Sequence, residues 1–526
     1  MRHILYILFS ISLVFPVVVD AQQKTPPKIE WQKCLGGTGR DEPTSIQQTN
    51  DGGYIVVGGT YSSDGDVVGF QGEIDCWVVK LTSTGVIEWQ KSLGGTNEDL
   101  GWSIRQTAEG GYIMAGYSSS ADGDVTGHHG GIDTGDYWIV KLTSIGTIEW
   151  QKSLGGSRGD GASSIQQTTD GGYAVAGTST SVDGDITNHH GNEYYGDYWI
   201  VKLTSTGVLE WEKSLGGSHV EHASCIQQTT DGGFVVAGSS YSSDGDVTSG
   251  DGSSNYWIVK LTSLGVIEWE KSFGGNLLEE ANFIQQTADS GYIITGYDGL
   301  QDYWIIKLKN NGEIEWQKSL GGSWPDIAYS IQQTTDGGYI VAGSSSSTDG
   351  DVTGNHGNDY DDCWIVKLTG SGGIEWQKSF GGDNADRAYS IQQTSDAGYI
   401  FVGQTYSTHG DLTGNHGASD FWIVKLSPEG TSSVESEIVT THNISISPNP
   451  ASTTATLSFE SDEAGACEVQ IISVTGATLK EYSTYLSIGK QEIALTNLES
   501  LPSGVYEVVM KYNTDIIVRG KLRIIR

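Results

Sequence analysis

The chain has 526 residues, with 29 Lys and Arg against 65 Asp and Glu, for a formal net charge of -36. That balance excludes a nucleic-acid partner, because nothing in it could neutralise a phosphate backbone. Hydrophobic residues make up 37%, with 73 glycines and nine prolines, which fits many short strands joined by turns rather than helices or a disordered chain.

Residues 1–21 begin with Arg2 and His3, run apolar from Ile4 to Val19 and end on the small residue Ala21. This is the pattern of a secretory signal peptide cut before Gln22. No Cys stands at the cut, which argues against a lipid anchor, and no later stretch is apolar enough to cross a bilayer as a helix. The cysteines, Cys34, Cys76, Cys225, Cys363 and Cys467, are odd in number and scattered, at positions where sister copies mostly carry Ser or Tyr. They do not read as a disulfide framework or as a catalytic thiol.

From there the chain repeats itself. Glu-Trp recurs at Trp31, Trp89, Trp150, Trp211, Trp269, Trp316 and Trp376, each in a segment like IEWQKSLGG. A second tryptophan recurs at Trp77, Trp138, Trp199, Trp257, Trp304, Trp364 and Trp422, inside runs like DYWIVKL, with the phrase SIQQTTDGGYIVAG (Ser330 to Gly343) between them. A period of roughly sixty residues means an array of units that bury their apolar faces against one another.

The sixth copy shows the predicted strands: Tyr329 to Thr334, Tyr339 to Ser344, Cys363 to Leu368 and Gly373 to Lys378. They are rich in Ile, Val, Tyr and Trp and bounded by Gly and Asp. Thr335 to Gly338 is a tight turn, as is Thr82 to Gly85 in the first copy. Four antiparallel strands per unit predict the blades of a β-propeller. The array starts on an isolated fourth strand, Lys28 to Lys33, and ends on a third strand, Phe421 to Leu426. Pairing the two would complete seven blades and remove the exposed edges of an open array. The predicted fold is all-β: a seven-bladed propeller over 22–426 closed by its N-terminal strand, a serine-rich linker over 427–441 and a small β-sandwich over 442–526. The tryptophans are expected to cover apolar surface between blades, and the Gln-Gln and Gln-Lys pairs to make strand-edge and inter-blade hydrogen bonds.

Tight turns leave one face of such a propeller bare. The long connections gather on the other, where a binding site is expected. Its variable loop reads Asp-Gly-Asp at Asp64 and Asp66, Asp122 and Asp124, Asp183 and Asp185, Asp244 and Asp246, and Asp349 and Asp351, with His409 opening the last copy. Acids two apart, then a hydroxyl and a glycine, resemble the start of a calcium loop, and in the first two copies an acid, Asp75 or Asp133, also stands twelfth. Calcium is therefore a candidate cofactor, although position five is Val or Thr, no Glu stands twelfth and no helices flank the loop. The other reading is a solvated turn. The fifth copy has only Asp298 to Asp302 there, so a blade can form without the loop. His128, His129, His189, His190, His356 and His416 share these loops but belong to different blades, which favours exposed histidines over a transition-metal centre.

The turn phrase T-x-D-x-G-[YF], as at Thr334 to Tyr339, partly resembles the Asp-box of sialidase propellers. Those enzymes need an arginine cluster, whereas Arg40, Arg105, Arg158 and Arg387 are spread over different copies. No G-x-S-x-G, H-E-x-x-H or phosphate loop occurs.

The tail changes character at about His442. Pro448, Asn449 and Pro450 open it, Thr475 and Gly476 mark a turn, Leu501, Ser503, Gly504 and Tyr506 form one phrase, and Gly520 and Lys521 close it. In these motifs the tail resembles the C-terminal sorting domain of type IX secretion cargo. The resemblance implies an immunoglobulin-like sandwich that engages the secretion machinery of a Gram-negative cell and is usually cleaved on arrival, with the passenger released or attached to surface lipopolysaccharide. The expectation is an exported or surface propeller serving as a non-catalytic binding or adhesion module for a protein or glycan. The rivals are a carbohydrate-active propeller enzyme and a purely structural surface protein.

Overall fold

The structure, a computed structural model, describes residues 24–131, 134–356, 360–430, 445–461, 465–472, 478–512 and 515–525. The expected signal peptide (1–21), residues 431–441 of the expected linker, Asp133 and Gly476 lie outside the described residues. Two compact units divide the chain, Met1–Thr431 and Ser432–Arg526.

The first unit is built from four-stranded antiparallel sheets, one per repeat. In the sixth copy the strands are Asp326–Gln333, Tyr339–Ser345, Asp362–Leu368 and Ile374–Phe380, within a few residues of those predicted. Seven such sheets occur in this unit, and the strand Ile29–Leu35 hydrogen-bonds to Asp420–Leu426, so that one sheet combines the first strand of the chain with three late ones.

Each constant phrase has a physical task. The second and third strands are wholly or nearly wholly buried, and Trp77, Trp138, Trp199, Trp257, Trp364 and Trp422 have essentially no exposure. Each indole must still place its N–H. Trp77 Nε1 donates to Gln90 Oε1 at 2.8 Å, and Trp199 to Glu212 Oε2 at 3.0 Å, so the polar residue after Glu-Trp caps a tryptophan of its own sheet rather than bridging sheets. The Glu-Trp tryptophans are only half-buried apart from Trp376, but they do span sheets. Trp31 meets Tyr54 edge-on at 5.7 Å and lies over Gly85, which has φ +76° and where a Cβ would come within 2.8 Å of the indole.

The Gln-Gln pair stitches neighbouring sheets. The innermost strand is an edge whose outward N–H groups would otherwise lack partners. Gln106 N–H donates to Gln47 Oε1 of the preceding sheet, and Asn50 N–H donates back to Gln106 Oε1. The same exchange joins the last copy to the first: Gln48 N–H to Gln392 Oε1 and Ser395 N–H to Gln48 Oε1, both 2.8 Å.

At the tight-turn face the Asp of T-x-D-x-G serves a buried lysine, which answers the Asp-box resemblance with a structural role. Lys80 is 2% exposed at its side chain and is held by Asp51 at 3.0 Å and Glu88 at 2.8 Å; Lys425 is held by Asp396 and, across the chain ends, by Glu30. A buried ammonium needs such partners.

The tail packs a sheet of Ser445–Ser447, Ala455–Ser461 and Gly489–Leu495 against one of Thr478–Leu486, Gly465–Ile472, Gly504–Tyr512 and Asp515–Ile524. Leu457, Phe459 and Leu495 of one sheet share a core with Val469, Ile471, Met510 and Leu522 of the other. The predicted small sandwich is what the chain forms.

Candidate functional site

The Asp-Gly-Asp loops lie against the Leu-Gly-Gly links. Asp64 Oδ1 accepts from the Thr38 N–H at 2.8 Å, Asp66 Oδ2 from the Gly36 N–H at 3.3 Å, and the Asp66 N–H donates to the Gly36 carbonyl. Asp122 and Asp124 repeat this on Thr96 and Gly94, Asp183 and Asp185 on Ser157 and Gly155, Asp244 and Asp246 on Ser218 and Gly216, and Asp349 and Asp351 on Ser323 and Gly321. The hydrophobe that follows, such as Val67 or Val125, drops into the core between sheets. A glycine is required at position 36 because a Cβ would stand 2.4 Å from Asp41 Oδ2 and 2.8 Å from Asp420 Oδ1. In the fifth copy no such loop covers the link, and Leu277 and Leu278 are exposed.

Asp75 is directed elsewhere: it is buried and accepts from the Gln71 and Gly72 N–H groups. Among the described residues the loop acids form no group of three whose oxygens lie within 4.8 Å of one another. The one such group is Asp336, Glu375 and Glu429 at the other face, and Lys24 bonds to all three while Lys367 joins two of them. The loop histidines pair with the acid that starts the third strand: His129 with Asp136 at 2.9 Å, His190 with Asp197 at 3.0 Å, His356 with Asp362 and His416 with Asp420 at 2.7 Å.

Buried acids ring the loop face. Burial raises Asp41, Asp99 and Asp326 above the usual carboxylate range despite hydroxyl and N–H donors, and takes Asp160 to about 6 and Asp386 to about 7. These acids are masonry for the links, since Gly37 N–H, Thr60 Oγ1 and Ser62 Oγ all donate to Asp41.

Just inside that ring the repeat stops being a repeat. The residue after the ring acid is Glu42, Leu100, Gly161, His222, Glu280, Ile327 or Arg387, and the bulged residue two further on is Thr44, Trp102, Ser163, Ser224, Asn282, Tyr329 or Tyr389. These positions open the inner strands, at the mouth of the space they surround. Several side chains connect there across sheets. Tyr329 and Tyr389 rings lie 5.1 Å apart; Tyr389 OH donates to Gln404 Oε1, and Gln404 Nε2 reaches Glu42, Tyr406 and Ser419. Arg387 is anchored by Asp361 at 2.7 Å, Tyr297 OH donates to Glu280 Oε2 at 2.8 Å, and Trp102 is 48% exposed. Sequence reading passed over these residues because it followed what is constant; aligning the copies and asking what differs would have found them. The arginines do belong to different sheets, as read, and the pairing of the chain ends makes the sheets of Arg40 and Arg387 neighbours.

Residues 445–524 match the family described as the secretion system C-terminal sorting domain. The tail is that sorting domain. The chain is thus type IX secretion cargo with a repeat propeller passenger, exported to the cell surface or the extracellular space. Within the sorting domain the motif residues are structural fasteners. Pro448 and Pro450 flank Asn449, whose side chain donates to the Lys521 carbonyl at 2.7 Å and accepts from the Arg523 N–H at 2.8 Å. Ser503 and Gly504 lead into the strand where Tyr506, 7% exposed, donates its hydroxyl to the Pro502 carbonyl.

No curated protein matches the chain. Among solved structures it is similar to the Pan2 WD40 domain of Neurospora crassa (TM-score 0.43, 9% identity, covering 76% of this chain and 96% of that one). It is also similar to the BP39L lectin of Burkholderia pseudomallei (0.43, 8%, 76% and 99%) and to a puromycin hydrolase (0.41, 9%, 80% and 58%). At such identities no residue role follows from these likenesses.

Proposed function

We propose that the passenger is a closed seven-bladed propeller that serves, without catalysis of its own, as a binding module whose ligand engages the mouth of the inner strands on the long-loop face. Closure is supported by the pairing of Ile29–Leu35 with Asp420–Leu426 and by the Gln48 stitch, which repeats between the last and first copies the bonds made between the others. The observation that carries the binding reading is the contrast within each repeat. The strand phrases, lysine clamps and tryptophans stay nearly constant, while the two positions that open onto the mouth take six and five residue types over the seven copies, including Trp102, Tyr329, Tyr389, Arg387 and Glu280. A rigid scaffold that varies its side chains at one concave place is how binding sites are built. Aromatic rings beside amide, carboxylate and guanidinium groups suit a glycan, which offers apolar ring faces and many hydroxyls.

The Asp-Gly-Asp acids belong to the support of that face. Calcium is the other use their oxygens could have, and it would add to the link contacts rather than replace the mouth as the site. The sorting domain delivers the passenger, after a signal peptide at 1–21, across the outer membrane of a Gram-negative cell, and the secretion machinery is its first partner.

The test is a glycan array and calorimetric titration with the full chain, followed by Tyr329→Ala, Tyr389→Ala and Trp102→Ala. Binding to a glycan class that these variants weaken about tenfold or more, with melting unchanged, supports the reading. Release of new reducing ends from a bound polysaccharide would replace it with the carbohydrate-active alternative.

A further inference from the structure

One residue breaks the inner ring below the mouth. After the inner-strand Ile, six copies place a glutamine (Gln47, Gln166, Gln227, Gln285, Gln332 and Gln392), and the second copy places Arg105. Each of those glutamines commits its Oε1 to an inner-edge N–H of the next sheet. Arginine has no acceptor and cannot make this bond. Arg105 instead donates Nη1 to Ser45 Oγ at 3.1 Å and to the Ile104 carbonyl at 2.7 Å, so the second copy gives up one of the stitches that hold its neighbour.

What replaces the stitch is a half-buried cation facing the space between the inner strands. A cavity of about 170 Å³ runs between the inner strands and is lined by Arg105, Cys225, Phe283 and the ring glutamines. The lysines that are buried in the sheets, such as Lys80, Lys202 and Lys367, are held by carboxylates. Arg105 is not: among the described residues its side chain bonds to the Ser45 hydroxyl and the Ile104 carbonyl, and no carboxylate pairs with it. In a chain of net charge -36 a carboxylate partner would be easy to supply. A half-buried guanidinium without one lacks a counter-charge that something anionic in the cavity would supply. The glutamines point the same way, since their carbonyl oxygens are taken by the next sheet and the amide N–H groups are what they can still offer the cavity.

We propose that this cavity is an anion site, in which Arg105, with the surrounding glutamine amides, binds a small oxyanion: a carboxylate, sulfate or phosphate group. The remaining N–H groups of the guanidinium form a planar fork suited to two oxygens of such a group. The site stands on the channel geometry alone and does not depend on what binds at the mouth.

The decisive variant is Arg105→Gln, which installs the residue of the six sister copies and restores the lost stitch, so it is expected to fold. The full chain would be melted in increasing sodium sulfate, inorganic phosphate or sodium acetate against sodium chloride at equal ionic strength, with calorimetric titration of each anion. The wild type should show a saturable rise in midpoint with at least one of them; Arg105→Gln should keep only the unsaturable salt effect and lose about tenfold or more in affinity, and Arg105→Lys should retain part of it. The preference among the three anions tells a carboxylate site from a sulfate or phosphate one. Equal responses in wild type and Arg105→Gln, or no saturable response in the wild type, overturn the proposal. A readout that needs no variant is anomalous scattering from selenate-soaked crystals: a peak beside Arg105 supports the site, and an empty channel together with no saturable response to acetate refutes it.

Discussion

Trp422 and Gln32 are 390 positions apart in sequence, and the indole N–H of the first donates to the side-chain oxygen of the second at 2.7 Å. Trp77, Trp138, Trp199, Trp257 and Trp364 make the same bond within their own copies, but here it joins the two ends of the array. Around it, Lys425 reaches Glu30, Ser427 N–H donates to the Lys28 carbonyl, and Thr25 bridges Gly430. A repeat array has no intrinsic end, so the ends must be fastened to each other or left as strand edges.

Gln32→Ala should orphan a fully buried indole N–H and cost about 1–3 kcal/mol in denaturant unfolding. Removal of residues 22–33 should do more. It leaves the strand Asp420–Leu426 as a bare apolar edge, and the truncated protein is expected to lose its single cooperative transition and to self-associate in size-exclusion chromatography. A truncated chain that melts like the parent would show that the ends do not lock the array.

The loop acids make a second prediction. Asp64 is fully exposed, yet its ionised form is favoured by the Thr38 N–H and hydroxyl that it accepts from. Asp64→Asn keeps an acceptor and should be mild, whereas Asp64→Ala should loosen the link between Gly36 and Gly39, read as faster amide exchange there. If the carboxylates serve the links alone, millimolar calcium or chelator leaves the melting midpoint of the full chain where it was. A saturable calcium-dependent rise, lost in Asp64→Ala, would instead make the loops metal sites.

Much of this architecture was legible in the sequence. The strands of the sixth copy could be placed within a few residues because alternating aromatic and β-branched runs between Gly and Asp leave few other readings. The phase of the ends told which strands should pair. What was not legible was the task of each polar residue, because it depends on partners elsewhere in the same sheet or in the neighbouring sheet about sixty residues away. Gln47 and Gln106 read as a polar pattern until the edge N–H groups are seen, and Asp51 reads as a turn former until Lys80 appears beneath it. The mouth was hidden for a different reason: Tyr329 and Tyr389 occupy one repeat position in adjacent sheets, and only the stacking of the sheets brings their rings together.

The two faces should respond to pH in opposite senses. At the tight-turn face burial disfavours ionisation of Asp51, Asp170, Asp231, Asp289 and Asp396, but hydroxyl, N–H and lysine donors outweigh it and bring each to about 2. These groups hold fewer protons folded than unfolded, so the stability they give is present above the ordinary value of 3.8 and is lost as the pH falls toward 2. At the loop face burial dominates and raises Asp75, Asp160 and Asp302 to about 6 and Asp386 to about 7. These hold more protons folded than unfolded, so they cost stability above their folded values and stop costing it as the pH drops toward 4. The His356 imidazole, raised by its Asp362 partner against the effect of burial, works in the same direction. The melting midpoint of the full chain should therefore climb as the pH is lowered from about 8 to about 5 and fall again below about 4. Asp386→Asn removes the largest of these four loop-face shifts while keeping an acceptor for Ser407 and Gly382. It should flatten the climb between about pH 5 and 8 without moving the acid limb. A variant whose pH profile overlays that of the wild type would place the origin of the climb elsewhere.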